Sequence, residues 1–250
     1  MAGSLDGRRI AITGASSGIG EKTAERLAAE GAAVAVGARR EDRLAELVER
    51  IGSAGGSAHS LPVDVADEDS AREFVANAAE RMGGLDGLVN NAGVMLLGPI
   101  DGADTAQWRQ MVEVNLLGLL YCTHAALPIL REGGGGDIVN ISSVAGRVAS
   151  AGSGVYNLTK WGVGAFSEAL RQETGWAKIR VTLIEPGFVD TELQGHNEHP
   201  AVVEAIDKMR EQIGEILQPE DIASAIAYAM SQPQRVSVNE VLVRPTGQPR

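Results

Sequence analysis

Tyr156 and Lys160 stand four residues apart in Tyr156-Asn157-Leu158-Thr159-Lys160, a spacing that puts two side chains on one face of a helix. A phenol titrates near ~10, too high for a base at neutral pH, but an ammonium beside it stabilises the phenolate and lowers that value. Tyr156 could then exchange a proton near neutrality. Thirteen residues earlier lies Ser143, closing Asn140-Ile141-Ser142-Ser143. Its hydroxyl would donate a hydrogen bond to a substrate oxygen, where charge develops during hydride transfer. Ser142 is a rival that only the thirteen-residue offset demotes.

A second constellation lies near the start of the chain. The apolar run Arg9 to Thr13 is followed by Thr13-Gly14-Ala15-Ser16-Ser17-Gly18-Ile19-Gly20 and then by strongly helical residues. A strand, a glycine turn and a helix N-terminus aim backbone N–H groups and the positive end of the helix dipole at a pyrophosphate. Gly14, Ser16, Ser17, Gly18, Ile19 and Gly20 are the residues of that turn expected to hold it. The spacing is G-x-x-x-G-x-G, so the commoner G-x-G-x-x-G rule does not by itself carry the reading. About twenty residues on, where a 2′-hydroxyl-binding acid would stand, the chain has Ala38 and Arg39. That substitution suits a 2′-phosphate, since a guanidinium fork matches phosphate oxygens. Arg40 is the second candidate for the phosphate, or else the start of a solvated helix. Asp64 and Val65, and Asn90-Asn91-Ala92-Gly93, would flank the adenosine, although alone each reads as a turn.

These residues need a frame that gathers strand ends. Seven short β-rich runs alternate with alanine-rich helical segments: Arg9 to Thr13, Ala33 to Gly37, Ala58 to Val63, Leu85 to Asn90, Asp137 to Ser142, Ile179 to Ile184 and Glu240 to Arg244. The expectation is an α/β fold, a single-domain doubly wound Rossmann-like unit over residues 1–250, with a seven-stranded parallel sheet and helices on both faces. Residues 192–217 break the rhythm and are expected to form a substrate loop or lid. A net charge of −11 disfavours nucleic acid and anionic membranes, so any phosphate must be held by a local device. No run of 18 apolar residues and no export signal is evident, and one cysteine, Cys122, fits a reducing, cytoplasmic setting.

With the markers in this order, the chain resembles the short-chain dehydrogenases and reductases of about 250 residues. The resemblance implies that Asn115, in Val114-Asn115-Leu116-Leu117-Gly118, joins Ser143, Tyr156 and Lys160 as a catalytic tetrad, with Asn115 supporting a water in a proton relay. It also implies that Lys160 binds the nicotinamide ribose, and that Val189 and Thr191, in the segment from Pro186 and Gly187 to Thr191, hold the carboxamide. By itself Asn115 could equally be a packing residue inside a helix. Finer likeness to NADP-dependent carbonyl reductases of bacterial secondary metabolism rests on Gly93 to Pro99, Ala145 to Val148 and Val243 to Gln248.

The reading that follows is an NADP(H)-dependent oxidoreductase interconverting a ketone or aldehyde with an alcohol, Tyr156 acting as general acid or base. An imine or enoyl reductase is the nearest alternative, and a non-catalytic NADP(H)-binding sensor the more distant one. The substrate pocket is expected around Met95, Leu96, Ser143, Val144, Ala145, Val155, Val189 and Leu193. Arg147 is placed at its rim, either on a substrate carboxylate or, the favoured reading, in a surface salt bridge. His196 and His199 could suggest metal, but Pro200 and the lack of a third ligand favour a solvated loop. Cys122 reads as packing, and His124 as core or interface filler. The broad apolar faces of Ala106 to Leu130 and Val155 to Gly175 suggest an interface; the resemblance implies a homodimer or homotetramer.

Overall fold

The computed structural model describes residues 4–197 and 199–249. Seven strands form one parallel sheet: β1 (Arg9–Thr13), β2 (Ala33–Ala38), β3 (Ser57–Pro62), β4 (Gly87–Asn90), β5 (Gly136–Ile141), β6 (Ile179–Pro186) and β7 (Glu240–Val243). Their order is β3-β2-β1-β4-β5-β6-β7. The direction of winding reverses between β1 and β4, which opens a crevice at the carboxyl ends of the strands. The doubly wound architecture is therefore as expected from sequence, with strand ends shifted by a residue or two. β4 starts two residues later and β6 ends two residues later than expected; just before β4, the Asp86 carboxylate accepts hydrogen bonds from the Arg9 backbone and guanidinium.

Of the eight α-helices among the described residues, six cover the sheet. On one face α1 (Gly18–Ala29), α2 (Glu41–Ser53) and α8 (Pro219–Ser231) bury Leu27, Leu44, Leu47, Ile222 and Ile226 against Ile10, Val34 and Val36. On the other, α3 (Glu68–Met82), α5 (Gly118–Glu132) and α6 (Gly154–Thr174) bury Phe74, Cys122, Ala126, Leu130 and Leu170 against Ala11, Ala35 and Leu88. Both faces of the central strands are thus dry, which explains their unbroken apolar sequence. Local signals set the helix ends. Asp67 accepts the Ser70 N–H at 2.7 Å, Gly83 closes α3 at φ 71°, and Gln218 with Asp221 forms a capping box ahead of Pro219.

The segment expected as one helix from Ala106 to Leu130 is α4 (Thr105–Val112) running into α5 through a π-helical turn at Glu113–Leu117. Such turns concentrate at functional sites. This 28-residue helix, Thr105–Glu132, is long and apolar enough by length and composition to cross a membrane, and the core helices of folded domains pass the same test. Here it lays Cys122, Ala126 and Leu130 on the sheet. Residues 192–217 form a 3₁₀ turn (Glu192–His196) and α7 (Pro200–Ile213), then return so that Leu217 bridges Val189 beside the sheet edge.

Candidate active site

β1 leads into the glycine turn and α1. Ser17, the residue before α1, is extended and makes no side-chain cap, so the first-turn N–H groups are left for an anion. Gly14 and Gly18 have φ of 66° and 58°, the region where a side chain is strained. The turn is held from behind: Asn91 Nδ2 donates to the carbonyls of Thr13 and Gly14, both at 3.0 Å, and Thr13 Oγ1 accepts the N–H of Asn91 and of Ala92. Gly20 is a correction. It is buried and does not face the crevice; a Cβ there would lie 2.4 Å from Asn91 Nδ2 and from the Gly14 carbonyl oxygen. Its smallness serves the packing of α1 on the turn.

One crevice runs along the carboxyl edge. Gly14, Ser16, Ser17, Gly18 and Ile19 line it, with Ala38, Arg39, Arg40, Asp64, Val65, Asn91, Ala92 and Gly93 around one end. Ser143, Tyr156 and Lys160, with Pro186, Gly187, Val189, Thr191 and Leu193, line the other. Arg39 is exposed and makes no hydrogen bond or ion pair among the described residues, whereas Arg40 is engaged with Ser16, Ser17 and Glu192. An unpartnered guanidinium at one end and an uncapped helix terminus in the middle fit a phosphorylated dinucleotide.

At the far end Tyr156 and Lys160 are buried on α6. Ser142 Oγ donates to the Lys160 carbonyl at 2.9 Å and is spent there, which leaves Ser143 as the serine available to the crevice. Ser143 Oγ accepts the Ala145 N–H at 3.1 Å and lies 3.4 Å from the Pro186 carbonyl. Burial pushes the Tyr156 phenol up to about 12, while its hydrogen bond with Ser143 pulls it the other way. Burial also pulls the Lys160 ammonium down to about 8. Lys160 Nζ donates to the Ile141 carbonyl at 2.9 Å and lies 5.7 Å from the Tyr156 ring centre. The expected lowering of the phenol by its lysine is thus reversed in this structure: desolvation dominates, and the ammonium is turned to a backbone carbonyl.

Asn115 sits on the π-helical turn and is buried. Its Oδ1 accepts the Val94 N–H at 2.8 Å, and its Nδ2 donates to the Val94 carbonyl at 2.9 Å and to Thr159 Oγ1 at 3.2 Å. The amide therefore locks the strand exit after β4 to α6, the helix that carries Tyr156.

On the substrate side, Met95, Leu96, Ala145 and Val155 are half-buried and pack with Val94, Met111 and Tyr156, next to the residues that line the crevice rather than among them, and Val144 is likewise outside that lining. Arg147 is turned away altogether, bidentate on the buried Glu185 and also paired with Glu240. His196, raised from sequence only as a metal candidate, also lines the crevice, as do residues the sequence reading missed: Val94, Val114, Glu192 and Gln194. Only their proximity in the chain to Gly93, Asn115 and Thr191 could have pointed to them. His196 ends the 3₁₀ turn and His199 precedes α7, so they share no helical face; Glu198 lies outside the described residues. No metal-binding group of three or more His, Cys, Asp or Glu occurs among the described residues. Cys122 is buried, its thiol pushed up to about 12 by desolvation, and it packs.

Residues 8–201 match the short chain dehydrogenase family. The chain belongs to that family. This short-chain dehydrogenase is 39% identical over 241 residues to an uncharacterized oxidoreductase of Staphylococcus saprophyticus, covering 96% of each chain. It is 41% identical over 248 residues to a glycine betaine reductase of Emericella nidulans, covering 99% of this chain but only 19% of that protein's length. Among solved structures, the closed form of a serine dehydrogenase complexed with NADP+ superposes with a TM-score of 0.89 at 33% identity, covering 96% of each. The chain is thus an oxidoreductase of the short-chain dehydrogenase family.

Proposed function

We propose that this oxidoreductase uses NADP(H) to interconvert a ketone or aldehyde with an alcohol. The observation that carries the reading is one crevice with the hydrogen-bonded Ser143 and Tyr156 at one end and the unpartnered Arg39 at the other. When bound, NADP(H) supplies or accepts a hydride. The turn from Gly14 to Ile19 would receive the pyrophosphate and Arg39 the 2′-phosphate; the similar serine dehydrogenase is complexed with NADP+. Val189 and Thr191, which line the crevice, would border the nicotinamide.

Ser143 and Tyr156 would both donate to the carbonyl oxygen as charge accumulates on it. A buried phenol held at about 12 is protonated at neutral pH, the form needed to deliver a proton during reduction. Oxidation needs the phenolate, which requires more positive charge close to the ring than Lys160 supplies while it faces Ile141. Asn115 would act by fixing Val94 and Thr159, with one lone pair of Oδ1 left for a water. The exposed Leu158 and Trp161 on α6 support assembly into a homodimer or homotetramer through that face.

The test is NADPH and NADH oxidation at ~340 nm with ketones, aldehydes, diketones and imines, and the reverse NADP+ reduction with L-serine as the alcohol, run beside Tyr156→Phe. General acid–base groups contribute about 10²–10⁴-fold, so Tyr156→Phe should lose at least about a hundredfold in kcat/KM and keep NADPH affinity. Full activity in that variant would sink the assignment. Tight NADPH binding with no turnover on any compound would favour the sensor, and turnover confined to imines the imine reductase.

A further inference from the structure

The loop after β6 is fastened across the crevice at two points. At its far end the buried Asn197 side chain accepts the Leu97 N–H at 2.7 Å and donates to the Met95 carbonyl at 3.1 Å. At its near end the Glu192 carboxylate takes Arg40 Nη1 at 2.8 Å and Arg43 Nη1 at 2.6 Å, both from the start of α2. Arg40 in turn donates to Ser16 Oγ through Nε and Nη2, at 3.1 and 2.9 Å, and to Ser17 Oγ at 2.8 Å. Glycine turn, α2 and loop are thereby joined in one arch, while a Cβ on Gly18 would come within 3.1 Å of Thr191 Cγ2. Ser16, Ser17, Gly18, Arg40, Thr191 and Glu192 line the same crevice as Arg39 and Tyr156. The two arginines hold the Glu192 carboxyl down at about 2, so it is ionised throughout the working pH range.

We infer that Glu192 is a clasp: by tying Arg40 and Arg43 to the loop after β6, it closes that loop over the pyrophosphate of a bound dinucleotide and limits how fast the dinucleotide leaves. This rests on the dinucleotide reading above. A carboxylate standing in for the 2′-phosphate would be expected on Arg39, but Glu192 is on Arg40, whose other donors are already on the serines of the turn. The clasp should therefore act on NADPH and NADH alike, unlike the 2′-phosphate contact.

The experiment is stopped-flow release of NADPH and of NADH from the full chain, chased with excess oxidised dinucleotide and followed by nicotinamide fluorescence. Solvent-exposed pairs are each worth up to about 1 kcal/mol, so Glu192→Gln should speed release of both dinucleotides about three- to tenfold. Arg43→Gln should do less, and the double variant should match Glu192→Gln because both act through one carboxylate. Unchanged release overturns the clasp. So does tighter NADPH binding with NADH unaffected, which would make Glu192 a competitor of the phosphate. If the wild-type chain binds neither dinucleotide, the reading under Proposed function fails, a result distinct from normal binding with unaltered release.

Discussion

Replacing Lys160 by methionine should reveal a stability cost that the site carries for its chemistry. An ordinary lysine titrates at 10.5, and burial brings Lys160 to about 8. At about 1.4 kcal/mol per tenfold change in proton affinity, keeping the ammonium inside at pH 7 costs the fold about 3 kcal/mol. The sign follows from proton counting. Below pH 8 both folded and unfolded chains hold the proton and the whole penalty is present; between 8 and 10.5 the folded chain gives it up first, and the penalty fades as pH rises. About 2–3 kcal/mol should be recovered by pH 10. Tyr156 works in the opposite direction only above pH 10, where the unfolded phenol ionises and the folded one, held at about 12, does not. Urea unfolding of wild type and Lys160→Met at several pH values from 7 to 10 isolates the lysine, because all other groups are common to both chains. Methionine also leaves the Ile141 carbonyl without its 2.9 Å partner, a loss of about 1–3 kcal/mol that does not vary with pH. The difference in stability between the two chains should therefore slide by about 2–3 kcal/mol toward wild type as pH rises. A difference flat to within about 0.5 kcal/mol over that range would show that Lys160 is not held at a depressed value, and the argument would fail.

Arg39→Ala removes charge-assisted hydrogen bonds worth about 1.5–3 kcal/mol, so NADPH affinity by fluorescence titration should fall about ten- to a hundredfold while NADH is unchanged. Equal losses for both dinucleotides would place the 2′-phosphate elsewhere. Arg147→Met strips the buried Glu185 of its bidentate partner. Thermal unfolding should show a loss of about 2 kcal/mol, reduced from the fully buried case because Arg147 is partly exposed, with KM for a carbonyl substrate unchanged. A large rise in KM with unchanged stability would return Arg147 to the substrate.

Several features were legible in the sequence because their causes are local. The apolar runs and their helical spacers specify the strand-helix alternation, and Asp67, Gly83 and Pro219 mark helix ends through contacts a few residues away. The glycine turn is likewise written in adjacent residues, and the offset from Ser143, just past β5, puts Tyr156 in the first turn of α6. Ser142 and Ser143 could be ranked by offset, yet the hydrogen bond that removes Ser142 belongs to Lys160, on the helix packed above.

What only the tertiary structure decided involves partners far apart in the chain or the degree of burial. Glu192 meets Arg40 across 152 positions because β2 and β6 deliver their following loops to the same crevice, a consequence of strand order that no local pattern encodes. Arg147 finds Glu185 and Glu240 for the same reason, at the β6 and β7 edge. Gly20 looks like part of the phosphate turn in sequence, but three-dimensional packing gives its space to Asn91 and the Gly14 carbonyl. The direction in which Tyr156 and Lys160 shift was beyond the sequence as well. Residue spacing places an ammonium near a phenol, whereas the sign of each shift depends on how much water the fold removes and on which acceptor the ammonium faces.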